Sequence, residues 1–413
     1  MTDKTMPALR FRGFYDAWEQ RKLGNVVNVL DGDRGKNYPS RENFSNQGHT
    51  VFLSASNVTK NGFSFEVNQY ISELKSNSMG NGKLIRNDIV LTSRGSLGHV
   101  AWYNDDLAST NPFVRINSGM LILRVLKDVD ARYIVQYLKS PLGSKKIELI
   151  SFGSAQPQLT KKDISNYGIE LPSYEEQQKK GAFFKQLDNL ITQNERKIDL
   201  LKQLKQAYLQ KIFSQELRFT GFNDGWEERD LSAISDKVTE KNKENQFSET
   251  FTNSAEYGII DQRDFFDKDI SNEKNLNGYY IVHENDFVYN PRISNYAPVG
   301  PIKRNKLGRT GVMSPLYYVF RSRGVDKKYL EYYFDTTAWH IFLKMNGDSG
   351  ARSDRFAIKD SVFNQMPIPY PTIGEQEQIG SFFEKLDKAI ALHQQKLDLL
   401  KKQKQAYLQK LFI

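Results

Sequence analysis

Apolar residues recur at alternating spacings of four and three in two long stretches, from Glu176 to Phe213 and from Glu375 to Phe412. Neither stretch contains proline, and acidic residues stand near its start and lysines near its end, as the helix macrodipole favours. The spacing predicts two long helices with a narrow coiled-coil seam. The predicted helix–helix seam consists of Leu187, Ile191, Ile198, Leu201, Tyr208 and Ile212 in the first helix, and of Leu386, Ile390, Leu397, Leu400, Tyr407 and Leu411 in the second.

The two helices are copies of one sequence. They align without a gap, and roughly half of their positions are identical, which indicates an internal repeat. Two seam positions are polar in both copies, because Asn194 matches His393 and Lys205 matches Lys404. Matched polar positions fix the register and the partner of a coiled coil. The alternative is two separate surface helices of ordinary amphipathicity, but such helices have no need of a shared sequence, so paired helices are favoured.

The repeat also includes the segment before each variable region. Residues 10–23 (RFRGFYDAWEQRKL) recur as residues 218–231 (RFTGFNDGWEERDL). Joining the C-terminus to the N-terminus would recreate the internal junction, which predicts approximate two-fold symmetry with two globular domains held apart by two antiparallel helices. The predicted division is a first domain over 1–172, a central helix over 173–216, a second domain over 217–372 and a C-terminal helix over 373–413.

The variable segments have short strand-like runs separated by glycine, asparagine and aspartate. In the first half these runs cover 49–56, 88–95, 98–104 and 120–126, before a helix interrupted at Pro141, a loop over 153–160 and a strand ending at Pro172. The second half repeats the order at 286–292 and 314–322, followed by one helix over 327–345, a loop over 350–357 and a strand ending at Pro371. This order predicts two α+β domains of one architecture.

Composition narrows the possible partners. The 413 residues include 58 basic and 49 acidic side chains, a net charge of +9, which points to a polyanionic partner. The absence of cysteine excludes disulfides, thiolate catalysis and cysteine-ligated metal sites. No apolar run reaches membrane-spanning length and no leader is visible, which predicts a soluble, cytoplasmic protein.

Together these motifs resemble the specificity (S) subunits of type I DNA restriction–modification systems. The resemblance rests on the duplicated WExRxL motif, a loop ending in Leu159 or Phe356, a proline-ended strand before Glu-Gln, and the FFxxLD…LLKxxKQAYLQK helix. It implies two target-recognition domains that each read one half of a split sequence in double-stranded DNA. It also implies that the helices are a spacer on which two modification (methyltransferase) subunits dock, and that restriction/translocase subunits join the full complex.

The resemblance further implies that the chain holds no cofactor, because S-adenosylmethionine belongs to the modification subunits. The recognition loops around Leu159 and Phe356 differ at most positions from those of other family members. The DNA sequence recognised by another member therefore cannot be transferred to this chain. We also expect the pairs Phe183–Phe184 and Phe382–Phe383 to need cover from a partner.

Base reading requires Arg, Lys, Asn, Gln or Ser side chains on loops held by a rigid sheet. The candidates in the first half are Arg34, Lys36, Asn37, Ser54, Asn57, Arg94, Ser96, Ser154, Gln156 and Gln158; those in the second half are Gln262, Arg263, Arg292, Asn295, Arg352, Ser353 and Arg355. The loops GSAQPQ and GARSDR are the strongest, because they stand at matching positions. A helix of about 38 residues also gives roughly 57 Å of rod, enough to hold two half-sites about one DNA turn apart.

No catalytic motif is found. The phosphate-binding loop GxxxxGK[ST] is absent, and the histidines His49, His99, His283, His340 and His393 are scattered without metal-ligand spacing. The Asn-Pro pairs at Asn111 and Asn290 are typical of turns. We therefore expect a non-catalytic DNA-specificity subunit. The alternatives are a self-contained nuclease or methyltransferase, tested by activity of the chain alone, and a coiled-coil adaptor that does not bind DNA, tested by salt-dependent DNA binding.

Overall fold

The computed structural model describes residues 6–151, 157–265, 276–348 and 354–412. Its contacts divide the chain into two compact units. The first unit comprises residues 1–195 and 395–413, and the second comprises residues 196–394. Each long helix therefore contributes one segment to each unit. Within the described residues, no helix has both the length and the apolar character needed to cross a membrane.

The first unit begins as a run of short strands and ends in helices. Its strands are β1 (Glu19–Lys22), β2 (Val27–Asp31), β3 (Thr50–Phe52), β4 (Val58–Thr59), β5 (Gly62–Phe63), β6 (Tyr70–Ile71), β7 (Ile89–Thr92), β8 (Val100–Trp102), β9 (Val114–Arg115), β10 (Met120–Val125) and β11 (Gly168–Leu171). Its helices are α1 (Glu73–Ser78), α2 (Asp105–Thr110), α3 (Ala131–Lys139), α4 (Pro141–Ser151), α5 (Lys161–Asn166) and the start of α6 (Tyr174–Phe213). Proline starts a new helix after Lys139, as predicted.

The core of the first unit lies on both faces of an antiparallel sheet with the order β2-β10-β7-β8. Alternate residues of a strand point to opposite faces. Leu121 and Leu123 accordingly pack with α3 and the long helices, whereas Met120 and Ile122 pack with residues of β3 and β9. Because both faces are covered, β10 is apolar over four successive residues instead of alternating.

The second unit has a similar set of elements. Its strands are β12 (Glu227–Asp230), β13 (Ser235–Lys237), β14 (Phe251–Ser254), β15 (Gly258–Asp261), β16 (Tyr280–Val282), β17 (Phe287–Tyr289), β18 (Ile302–Arg304), β19 (Gly311–Met313), β20 (Tyr318–Ser322) and β21 (Pro367–Tyr370). Its helices are α7 (Leu231–Ile234), α8 (Gln262–Phe265), α9 (Lys327–Phe334), α10 (Ala338–Asn346), α11 (Asp360–Phe363) and part of α12 (Ile373–Lys410).

The central sheets of the two units have the same strand order. In the second unit the order is β13-β20-β17-β18, again antiparallel, and β12 pairs with β21 as β1 pairs with β11. The α+β class and the shared architecture predicted from the sequence are confirmed. The single helix expected over 327–345 is wrong, because it breaks after Phe334. Asp335 and two threonines favour a helix end over a helix interior, and Thr336 Oγ1 donates to the carbonyl of Tyr333.

Within each unit the two long helices run antiparallel. In the first unit, Phe184 stacks on Phe412 with ring centroids 5.8 Å apart, and Lys404 Nζ lies 2.6 Å from Asp188 Oδ1. The residue number rises on one helix as it falls on the other. In the second unit, Lys205 Nζ lies 2.7 Å from Asp387 Oδ1. The matched polar seam lysines thus form reciprocal ion pairs with the aspartate of the opposite FFxxLD motif.

The seam positions are buried to different degrees. Leu187, Ile198, Leu201, Ile212, Leu397, Leu400 and Leu411 are buried, whereas Ile191, Tyr208, Leu386, Ile390 and Tyr407 are half-buried. The seam predicted from the sequence did not include Leu209 and Leu408, which are almost fully buried. Asn194 is also buried, and its Nδ2 donates to the carbonyl of Leu190 one turn earlier in the same helix.

The expectation that the paired phenylalanines need cover from a partner is wrong. Phe184 and Phe383 are completely buried inside the chain, and Phe183 and Phe382 are half-buried. Phe183 meets Tyr407 edge to face in the first unit, and Phe382 meets Tyr208 in the same way in the second. The tyrosine of the KQAYLQK motif therefore covers the first phenylalanine of the opposite helix.

The Glu-Gln pair at the start of each long helix ties it to its unit. Glu176 is fully buried and accepts hydrogen bonds from Arg10 at 2.7 and 3.1 Å, as Glu375 does from Arg218 at 2.7 and 3.0 Å. The next residue, Gln177, accepts from the backbone N–H of Asp130 and donates to the carbonyl of Pro172. Gln376 makes the same two bonds, to Asp326 and Pro371. These bonds explain why the repeat keeps arginine, proline, glutamate and glutamine at fixed spacing.

Candidate nucleic-acid interface

In each unit, the end of a central strand is hydrogen-bonded to the end of the predicted recognition loop. The backbone N–H of Leu159 donates to the carbonyl of Ser93 at 3.0 Å, and that of Phe356 donates to the carbonyl of Pro291 at 2.7 Å. Both Leu159 and Phe356 are buried in the core and anchor their loops. We call this backbone hydrogen bond, from Leu159 to Ser93 or from Phe356 to Pro291, the loop joint.

An arginine follows directly after the loop joint in both units. Because β7 and β17 hold equivalent places in their sheets, Arg94 of the first unit corresponds to Arg292 of the second. Both side chains are exposed. The structure thus places an arginine next to the described C-terminal end of the recognition loop in both units, although the surrounding sequences differ.

In the second unit, the two arginine-bearing loops are paired. Arg292 and Arg355 face each other in an isolated antiparallel bridge, and the N–H of Ile293 donates to the carbonyl of Asp354 at 3.0 Å. No acidic side chain of the described residues forms an ion pair with either arginine. Two exposed guanidinium groups with free N–H donors can bind phosphate oxygens or the acceptor edge of guanine.

In the first unit, a second arginine approaches from the loop after β2. Arg34 donates to the carbonyl of Ser118 at 3.2 Å, and the Cβ of Arg94 lies against Gly119 of the same turn. The oxygens of Asp33 hold this loop by accepting from the backbone N–H groups of Gly35 and Gly80, each at 2.7 Å. The bond from Gly35 is the main cause that lowers the pKa of Asp33. The structure therefore brings Arg34 and Arg94 to the same turn.

Other predicted residues of the first unit lie around these loops. Lys36 and Ser96 are exposed, and the Nδ2 of Asn37 donates to the carbonyl of Ser78 at 2.6 Å. Asn57 is different, because it is 1 % exposed and its Nδ2 donates to two carbonyls of the 64–67 segment. Its Oδ1 accepts from the backbone of Ser54, closing the turn. Asn57 therefore stabilises the loop, and we leave it out of the proposed interface.

Three predicted residues of the second unit line one cavity of about 700 Å³: Gln262, Arg292 and Arg355. Asn295 is exposed in the turn after Arg292, and Arg263 is exposed after Gln262. Of the remaining predictions, Gln158 is half-buried immediately before Leu159. The residues Ser154, Gln156, Arg352 and Ser353 lie outside the part of the chain that the structure describes.

Sequence reasoning missed an ion pair between a buried aspartate and a more exposed arginine next to the loop joint in both units. Arg124 binds Asp88 through two hydrogen bonds of 2.8 and 2.9 Å, and Arg321 binds Asp286 through two of 2.7 and 2.9 Å. Both aspartates are buried, and each stands directly before the strand that ends at the joint. The hydrogen bonds to these carboxylates raise the pKa of both arginines. The signal was visible in the sequence as an aspartate before IVL and FVY and an arginine after MLIL and YVF.

Among the described residues, the lysines with a strongly lowered pKa lie among the helices, away from these loops. Burial lowers the pKa of both Lys139 and Lys180 to about 8, and Lys180 lies in the core beside Trp18. Among the described residues, no three His, Cys, Asp or Glu side chains stand close enough to hold a metal ion. The arrangement presents hydrogen-bond donors on loops around a rigid sheet, which suits binding.

Comparisons with known proteins agree on one family. The profile of the type I restriction modification DNA specificity domain matches the chain twice, over residues 15–203 and 223–402. The type I restriction enzyme MjaVIII specificity subunit of Methanocaldococcus jannaschii is 23 % identical over 305 residues, which cover 67 % of this chain and 68 % of that protein.

Solved structures share the fold. The type I restriction-modification S subunit from M. genitalium has a TM-score of 0.60 at 15 % identity, covering 99 % of both chains. A chain from a study of complex assembly and conformational transition in the type I R-M system has a TM-score of 0.51 at 16 % identity, covering 97 % of this chain and 99 % of that one. Since the two profile matches span most of its length, the chain belongs to the family of type I restriction–modification DNA specificity subunits.

Proposed function

We propose that this chain reads a bipartite target in double-stranded DNA, one half with each unit, and catalyses no reaction itself. The observation that carries the proposal is the loop joint. The same backbone bond sets an exposed arginine, Arg94 or Arg292, beside a recognition loop in both units. The scaffold is retained while the loops differ, which is what two readers of different sequences require.

The chemistry of the loops supports both kinds of DNA contact. Exposed arginines donate to phosphates without regard to sequence, and bidentate contacts to guanine in the major groove supply specificity. Arg34 and Arg94 are the readers we assign to the first unit, and Arg292 and Arg355 those of the second. Lys36, Ser96 and Asn295 are exposed nearby and complete the proposed interface.

We assign the modification subunits to the exposed sides of the long helices. Leu200 and Leu399 stand at matching positions of the repeat and are 54 % and 56 % exposed. Leu190, Leu204 and Leu392 are also exposed on these helices, and in this proposal the exposed leucines form the protein-binding surface. The partners would supply S-adenosylmethionine and the methyl transfer, and would flip the target base to reach it. Restriction/translocase subunits would join through the same complex.

The helices also act as a spacer in this proposal. With 40 and 38 residues they are uninterrupted, and at a rise of about 1.5 Å per residue each is roughly 60 Å long. Inserting four residues into both helices adds about 6 Å to each. We expect the gap in the methylated target to lengthen by one or two base pairs; an unchanged gap contradicts the spacer role.

Purified components test the division of labour. The chain with its modification subunits should bind target DNA specifically, with an affinity that falls steeply with salt. The chain alone, supplied with S-adenosylmethionine and magnesium, should neither methylate nor cut that DNA. Replacing Leu200 and Leu399 with aspartate should abolish co-purification with the modification subunits. Methylation by the chain alone would overturn the proposal, as would salt-independent binding.

A further inference from the structure

A cation is buried in the first unit, apart from the exposed arginines of the proposed interface. Arg115, at the end of β9, is 3 % exposed, and no carboxylate of the described residues accepts a hydrogen bond from it. Its guanidinium donates instead to Ser76 Oγ at 3.0 Å and to the carbonyls of Met79, Gly80 and Asn81 at 3.3, 3.2 and 3.0 Å. A buried charge costs stability unless hydrogen bonds replace its hydration, and these acceptors all belong to one segment, residues 76–81.

Segment 76–81 in turn holds the loop that carries two proposed DNA contacts, Arg34 and Lys36. Asp33 Oδ2 accepts from a backbone N–H of the segment at 2.7 Å, and Asn37 Nδ2 donates to one of its carbonyls at 2.6 Å. These bonds fasten the loop on both sides of the two exposed cations. The position of Arg34 and Lys36 therefore depends on the segment that the buried arginine holds.

The shared scaffold does not need an arginine at this place. Arg115 faces Lys83 in an antiparallel bridge of the first unit, as Val312 faces Ile281 in the second. Lys83 and Ile281 each stand five residues before the buried aspartate of the central sheet, at positions 88 and 286, so Arg115 and Val312 match. Val312 is completely buried. Since an apolar residue suffices there, the cation serves the loop of the first unit and not the common architecture.

We propose that Arg115 is a positioning residue for DNA reading by the first unit. It holds segment 76–81, which fixes both ends of the loop over residues 33–37. The loop thereby keeps Arg34 and Lys36 where they meet the target. The inference rests on the proposed function, because it needs these two cations to contact DNA, and it extends that function to a buried residue that touches no DNA.

A double-mutant cycle separates positioning from general stability. Arg115→Met keeps a long side chain at the site but removes every donor. It is made in the wild type and in the double variant Arg34→Gln, Lys36→Gln, and each chain is assembled with its modification subunits and titrated with target DNA. We expect Arg115→Met to weaken binding roughly three- to tenfold in the wild type, but less than about twofold where the two exposed cations have been removed.

Two further variants separate the result from losses in folding. Arg115→Lys keeps the charge, but its three N–H groups cannot serve four acceptors, so it should give the same pattern and decides the matter if Arg115→Met does not fold. Ile116→Val is the matched control. Ile116 is completely buried beside Arg115, and this change lowers stability without removing a hydrogen bond. It should bind DNA as tightly as the wild type.

Sequencing of methylated DNA gives a readout that a merely structural role would not move. In Arg115→Met, recognition should relax in the half that Arg34→Gln, Lys36→Gln relaxes and stay unchanged in the other half. Equal losses of affinity in both backgrounds, or relaxed recognition in both halves, would overturn the positioning role and leave the proposed function standing. Unaltered binding by Arg34→Gln, Lys36→Gln would instead contradict the proposed function's assignment of these residues, and the positioning role with it.

Discussion

Lys180 and Glu176 form an ion pair of 3.5 Å in which both side chains are completely buried, one helical turn apart in α6. The lysine also lies 4.1 Å from the Trp18 ring centroid and donates to the carbonyl of Leu411. The second unit has Ile379 at the matching position, and there the tryptophan N–H of Trp226 binds the glutamate directly, at 3.1 Å. One scaffold thus tolerates a charged and an apolar residue at the same buried place.

This difference predicts unequal effects of exchanging the two residues. Lys180→Ile removes a buried charge but leaves the carbonyl of Leu411 without its donor, so the free energy of unfolding should change by no more than about 1 kcal/mol. Ile379→Lys should lower it by about 3–5 kcal/mol. The matching carbonyl, of Ile212, already accepts from Gln215, and Glu375 is already bound by Arg218 and Trp226. Urea denaturation measures both; equal losses would contradict the account.

The same lysine predicts a pH dependence. Burial is the main cause that lowers the pKa of Lys180 from 10.5 to about 8, against the attraction of Glu176. Between about pH 8 and 10.5 the unfolded chain binds a proton that the folded chain has released, so stability rises with pH in this window. Relative to Lys180→Ile, the wild type should gain on the order of 3 kcal/mol over the window. Parallel unfolding free energies of the two proteins from pH 7 to 10.5 would rule this out.

The paired arginines of the second unit predict a change in DNA affinity. Removing the guanidinium in Arg292→Gln or Arg355→Gln should weaken binding, and the salt dependence should lessen by about one counterion for each phosphate that is no longer bound. Arg323→Gln is the matched control, because Arg323 is exposed but pairs with Asp236 at 3.1 Å at the far end of β20. Titrations at several salt concentrations measure the slopes. Equal slopes for all three variants would remove Arg292 and Arg355 from the interface.

The buried aspartates predict that the loop joint depends on its supporting ion pair. Asp286→Asn leaves Arg321 without its carboxylate, and Asp88→Asn does the same to Arg124, so each should lower the free energy of unfolding by about 1.5–3 kcal/mol. At a temperature where the variants remain folded, each should weaken DNA binding through its own loop joint. Thermal unfolding and DNA titration check the two effects. An unaltered affinity in the folded variants would show that the pair contributes stability alone.

The sequence could predict the repeat, the long helices and the α+β class, because each leaves a periodic or duplicated signal. The seam lysines were visible as polar interruptions, yet their partners Asp188 and Asp387 became clear only when the helices were seen to run antiparallel. Asn57 shows the opposite case. An asparagine in a polar loop resembles a residue that contacts DNA bases. Asn57 is instead buried, and its three hydrogen bonds to the backbone stabilise the turn.

The cavity of the second unit could not be foreseen for a related reason. Arg292 and Arg355 are far apart in sequence, and the backbone bridge between them brings their two loops to the lining of the cavity. Contacts between loops depend on tertiary structure, which local propensity does not encode.

Single-molecule sequencing of methylated DNA tests the central claim most directly, in cells that carry this chain with its modification subunit. We predict two short specified halves separated by an unspecified gap. Arg94→Ala should relax or abolish recognition in one half only, and Arg292→Ala in the other half only. A single uninterrupted motif, or two variants that alter the same half, would contradict the claim that each unit reads its own half of the target.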